Sequence, residues 1–164
     1  MAQVIGNSIT DFQEMVFDRI LGEEGIVKAL VVYPDVDFLN ATPTPEQYEL
    51  INNPYQLIRK QVFPYTKAIT KNDEIKPYIT TLWTGFRKKR DHYISGTFCF
   101  HILIPETMEN TTEGIRYNYI ADRLDSILNK DFQFLERGDI ERVPEGYIGH
   151  YIVFKTLDLH TKDW

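Results

Sequence analysis

A chain of 164 residues with 43% hydrophobic and 26% charged content has the size of one domain, can bury about two-thirds of its unfolded surface, and is too apolar to be disordered. Its formal net charge of −6 argues against a duplex-binding protein, because attraction to phosphates rests on clustered Lys and Arg. A single cysteine, Cys99, excludes an internal disulfide framework and a cysteine-built zinc site.

In chain order, Ser8 or Thr10 is placed to cap a first helix, with Asp11 and Glu14 in its opening turn and Phe12, Met15, Val16 and Ile20 at helical spacing. Gly22 ends it. Glu24 to Val32 suits a short helix or a strand, with the helix preferred, and Pro34 closes either. After a polar connection, Thr44-Pro45-Glu46-Gln47 has the form of a capping box with Pro at the first helical position, predicting a helix to about Ile51. Tyr55 to Tyr65 reads as an irregular or short helical arm.

Tyr78 to Phe86 and His92 to Ile104 read as strands. In the second, Phe98, Phe100, Ile102 and Ile104 alternate with Thr97, Cys99, His101 and Leu103. Arg87-Lys88-Lys89-Arg90-Asp91 is expected at the tip of the hairpin between them. Thr111 or Thr112 is expected to cap the strongest helix, which carries the apolar stripe Tyr117, Ile120, Ala121, Leu124, Ile127 and Leu128, with Asn129 as a left-handed stop. Strands around Phe132 to Val143 and Tyr147 to Leu159 follow, joined at Pro144-Glu145-Gly146. The order helices, hairpin, helix, hairpin predicts one α+β domain over residues 1–164, an antiparallel sheet of about four strands with helices packed on one face. Residues 1–54 form its helical part and 55–164 its hairpin–helix–hairpin core.

The search for chemistry finds no catalytic set, and no cofactor is expected. His92, His101, His150 and His160 do not pair at metal-ligand spacings, although His101 and His150 fall on neighbouring strands. Asp35 and Asp37 flank Val36 at a spacing that a divalent metal accepts, but acidic residues in a turn are more often local caps. Asp73-Glu74-Ile75-Lys76 echoes a nuclease motif only faintly. Ser95 and Ser126 lack a nucleophile elbow, and Cys99 sits in a strand. No expected metal ligand emerges.

The basic run Arg87, Lys88, Lys89 and Arg90, preceded by Trp83 and Phe86, has three readings. It engages phosphates and stacks a base, it keeps an exposed strand pair from sticking to its neighbours, or it docks on an acidic neighbouring subunit. No segment approaches the roughly 18 apolar residues of a membrane span. Met1 to Thr10 lacks the basic start and apolar run of a signal peptide, so synthesis and folding in a cytoplasm are expected.

Roughly residues 55 to 160 resemble the tail-terminator and neck proteins of tailed double-stranded DNA phages. The resemblance rests on Phe63-Pro64-Tyr65, on Pro77-Tyr78-Ile79, on the strand Gly96 to Pro105, on the helix from Gly114-Ile115-Arg116 to Leu128-Asn129, and on the final strand Tyr147 to Leu159. It implies a structural virion protein, a ring, usually a hexamer, that caps the head-proximal end of the tail and joins it to the head connector. Its partners would be other copies of itself, the tail tube and the connector, with genomic DNA passing through without sequence-specific binding and no membrane involved. The interface candidates are then Trp83, Phe86, Arg87, Lys88, Lys89, Arg90 and Arg116. A small metal-dependent nucleic-acid enzyme and a regulatory binding module stand as the alternatives.

Overall fold

The computed structural model describes residues 3–4, 9–90, 93–156 and 159–160. Its first half holds β1 (Gln3–Val4), α1 (Ile9–Leu21), α2 (Glu24–Val31), α3 (Pro45–Asn52) and β2 (Val62–Phe63). The second half holds β3 (Tyr78–Arg90), β4 (Tyr93–Pro105), β5 (Asn110–Thr111), β6 (Gly114–Ile115), α4 (Arg116–Leu128), β7 (Phe132–Asp139), β8 (Tyr147–Thr156) and β9 (Leu159–His160).

The main sheet runs β2-β3-β4-β8-β7 across its width, and β9 and β1 extend it beyond the ends of β8 and β7. The pairs β3–β4, β4–β8 and β7–β8 are antiparallel, while β2–β3 and β1–β9 are parallel. The α+β class is as expected, with the sheet five strands wide rather than about four, and mixed rather than purely antiparallel. The fifth strand is the two-residue β2, cut from the arm that Pro64 makes irregular.

Period-2 alternation decides which face the helices cover. Phe98, Phe100, Ile102 and Ile104 of β4, with Ile152 and Phe154 of β8, join one buried cluster with Phe12, Val16 and Ile20 of α1, Ile26 and Leu30 of α2, and Ile120, Leu124 and Leu128 of α4. Each such side chain contributes about 1.5–3 kcal/mol of burial. Phe98 is the hub: its ring meets Phe12, Trp83, Phe100, Phe132 and Phe154 at centroid distances of 5.2 to 5.7 Å. On the opposite face a smaller cluster, Phe63, Ile69, Tyr78, Leu103 and Tyr147, covers one end only.

Helices α1, α2 and α3 form as expected, but Thr10 lies inside α1 rather than capping it, and Ser8 lies outside the described residues. The Gly22 N–H closes α1 onto the Asp18 carbonyl at 2.9 Å. Thr44 forms the capping box, accepting from the Gln47 N–H at 3.2 Å while its own N–H donates to Gln47 Oε1 at 2.9 Å. At α4 two expectations fail. The helix begins at Arg116, not after Thr112, because Thr111 closes the β5–β6 hairpin instead: its hydroxyl donates to the Gly114 carbonyl at 2.7 Å and accepts from the Glu113 N–H at 3.2 Å. Asn129 is right-handed, at φ −65°, and its N–H continues the helix onto Asp125.

Candidate functional site

The strand β3 runs through the basic segment, so Arg87 to Arg90 are strand residues rather than a hairpin tip. Arg87 pairs with Ser95, Lys88 with Ile94 and Arg90 with Tyr93. Of the expected tip, Asp91 lies outside the described residues, as does His92. A bulge interrupts β3 where Gly85 and Phe86 share Gly96 as their opposite number. Gly85 takes φ +65°, which only glycine adopts without strain, and a side chain on Gly96 would meet the Phe86 ring at 2.7 Å.

That bulge turns Phe86 inward. Phe86 and Trp83 are both partly buried against the main cluster, packed on Phe12, and the Trp83 indole N–H donates to the Pro64 carbonyl at 2.8 Å. They anchor the base of the hairpin. Arg116, read from sequence as an interface residue, is 1% exposed and cannot reach a neighbouring subunit. Its guanidinium donates to the carbonyls of Met108 at 3.0 Å, Ala29 at 2.9 Å, Tyr33 at 3.2 Å and Asp35 at 3.1 Å, and it lies 4.9 Å from the Phe38 ring centroid. Burial lowers its pKa to about 10, with the Asp35 charge opposing the shift. The side chain staples the connection after α2 to the start of α4.

The metal readings lose their geometry. His101 lies opposite Tyr151 and His150 opposite Ile102, so the two imidazoles point to opposite faces of the sheet. Asp37 accepts from the Asn40 amide at 3.1 Å in a local turn, and the Asp35 carbonyl serves Arg116. Asp73 closes another turn by accepting from the Thr70 N–H at 2.8 Å, a bond that holds its carboxyl below the usual range. Among the described residues no group of three His, Cys, Asp or Glu side chains is placed to hold a metal.

Two surfaces are left incompletely covered. On the sheet face away from the helices, the rows Leu82–Cys99–Val153–Glu136 and Thr84–Thr97–Lys155–Gln133 cross β3, β4, β8 and β7, and every member is half-buried or exposed. Thr84 and Thr97 share a hydroxyl–hydroxyl bond at 2.7 Å. Burial pushes the Cys99 thiol up to about 11, and the Glu136 charge adds to the shift. Burial alone lowers the His101 pKa.

The second surface is the edge strand β7, where Phe134 is 39% and Leu135 43% exposed and Leu135 is the extra residue of a bulge. Behind it lies a polar network that sequence reading missed. Arg137 donates to Asp122, to Asn118 Oδ1 at 3.0 Å, and through Nε to His150 Nε2 at 2.9 Å. An N–H aimed at Nε2 requires a bare nitrogen there, so the His150 proton sits on Nδ1 and is donated to Asp139 Oδ1 at 3.0 Å. That bond, with one from Tyr117, holds the Asp139 carboxyl low. The partners are scattered over α4, β7 and β8, and no motif spacing announces them.

No helix among the described residues is long and apolar enough to cross a membrane. No curated protein and no solved structure gives a match. The family model described as YomW matches residues 23–156, from the start of α2 to the end of β8, and the chain therefore belongs to the YomW family, a phage-type family that points to a phage-associated protein.

Proposed function

We propose that the chain is a structural virion protein: a ring-forming subunit of the tail terminator or neck, capping the head-proximal end of the tail and joining it to the head connector. The observation that carries this reading is the one-sided sheet. Helices bury most of one face, while two rows of the other face and the edge strand β7 stay half-open around exposed Leu82, Phe134 and Leu135. A subunit that finishes folding only within an assembly leaves such surfaces. The phage family and the order hairpin, helix, hairpin point the same way.

On this reading the protein is not an enzyme. It assembles with copies of itself, usually as a hexamer, and with the tail tube and connector, and the genome passes through its channel without sequence-specific contacts. The body of the subunit is suited to that mechanical task. Arg116 ties the helical half to α4 through four carbonyls, and the Arg137 network ties α4 to β7 and β8. Load on one element is therefore shared by the others.

Gold-labelled antibody against the protein, applied to particles of the phage that encodes it, tests the reading. Label confined to the head–tail junction is the expected result. Particles that lack the protein altogether would overturn it.

A further inference from the structure

The sheet ends in two unlike edges. On one side, among the described residues, β2 covers only Ile79 and Thr80 of β3, and the Thr81 N–H reaches the Tyr65 carbonyl at 3.4 Å. From Leu82 to Arg90 the outer edge of β3 has no described partner, and this stretch carries the run Arg87, Lys88, Lys89, Arg90. On the other side, again among the described residues, β7 pairs with β8 alone.

Natural edge strands are protected by charge, proline or bulges, since a bare edge recruits another strand. The β3 edge has that protection: four cations and the Gly85–Phe86 bulge. The β7 edge also has a bulge, at Leu135, but lacks a run of like charges. Its first four residues, Phe132-Gln133-Phe134-Leu135, carry no charge, and Phe134 and Leu135 are both exposed. Its one cation, Arg137, is bent back onto Asp122, Asn118 and His150, which leaves exposed Glu136 to set the sign of the charge along it.

We infer that these edges are made for each other: β7 of one copy pairs, antiparallel, with the outer edge of β3 beyond Thr81 in the next copy. The occupant of each edge is a second copy of this chain, and the inference rests on the ring reading above. Strand direction supports it. Both β3 and β8 run opposite to β4, and β7 runs opposite to β8, so β7 and β3 are antiparallel. Copies related by rotation about an axis along the strands therefore meet in the antiparallel arrangement, the more stable per residue.

Charge supports it too, with an acidic, apolar edge facing a basic one. A β3–β3 contact would instead bring like charges together. Because the two edges differ, the contact is heterologous and propagates head to tail, and it closes into a ring when the rotation allows. Closure removes both free edges at once.

Two variants at strand-edge positions test this. One reverses β7 (Leu135→Lys with Glu136→Lys) and the other reverses β3 (Arg87→Glu with Lys88→Glu and Lys89→Glu, leaving Arg90 the only cation of the run). Each is first checked for wild-type melting and circular dichroism, then followed by native mass spectrometry over rising concentration beside the wild type. The wild type is expected to assemble. Each variant alone should need at least tenfold more protein to do so, since its reversed edge now meets a like charge. An equimolar mixture should recover wild-type assembly, because every junction in an alternating ring is again complementary.

A variant that assembles alone like the wild type would overturn the inference, as would a folded mixture that stays dissociated or a wild type that never associates. If junction labelling of particles persists in any of those cases, the neck reading stands and only the edge pairing falls.

Discussion

The two faces of the sheet are made by the same strands, residue by alternate residue, yet they are built to different standards. On the helix side Phe98, Phe100, Ile102 and Ile104 are all completely buried. One position along, Thr97, Cys99 and His101 stay half-buried, and only Leu103 is closed over, by the small cluster with Phe63, Ile69, Tyr78 and Tyr147. The first face holds the monomer together. The second is finished at one end and left open at the other, as expected of a surface reserved for contact.

This contrast is most easily broken at the hub of the buried face. Phe98→Ala removes a ring that touches five other aromatic side chains. It should cost about 3–5 kcal/mol in urea denaturation, enough to unfold much of the population of a domain of ordinary stability. Arg116→Ala comes next. It leaves carbonyls of Met108, Ala29, Tyr33 and Asp35 without their donor and should cost about 3 kcal/mol. Arg116→Lys should recover only part of this, because an ammonium cannot reproduce the fork of the guanidinium.

A smaller change sharpens the comparison in the opposite direction. Thr81 points to the helix face, and its buried hydroxyl has no hydrogen-bond partner. Thr81→Val should therefore stabilise the monomer by about 1 kcal/mol, and an unchanged or lowered melting midpoint would contradict the placement.

The smallest effect belongs to the open face. Cys99 has its pKa raised from the ordinary 9.0 to about 11. At pH 8 the thiolate fraction of the folded chain is then about a hundredfold below that of the unfolded chain, and alkylation slows accordingly. The sign of the linkage follows from a pKa raised on folding. The contribution to stability is intact below pH 9 and is lost as the pH rises towards 11. At neutral pH it changes nothing measurable.

Much of the fold was legible in the sequence because its signals are local. The alternation in β4, the capping box at Thr44 and the stripe on α4 each depend on residues within a few positions of one another. Where partners lie far apart in the chain, local reading fails. Thr111 and Thr112 look like helix caps until the β5–β6 hairpin claims the Thr111 hydroxyl. Arg116 looks like a surface cation until α2 and the connection after it supply carbonyls from 81 to 87 residues away. The basic run looks like a turn because four cations in a row disfavour pairing, yet the β3–β4 ladder extends to Arg90 and Tyr93. The candidate surfaces were the least legible of all. An edge is defined by which strands are missing beside it, and β7 carries no motif that says so.

The most direct test of the central claim is to image the purified wild-type protein by negative-stain electron microscopy at rising concentration, with native mass spectrometry of the same samples. A head-to-tail contact between unlike edges predicts closed rings of one defined stoichiometry. A species that stops at a twofold dimer, or a monomer at every concentration, would contradict it.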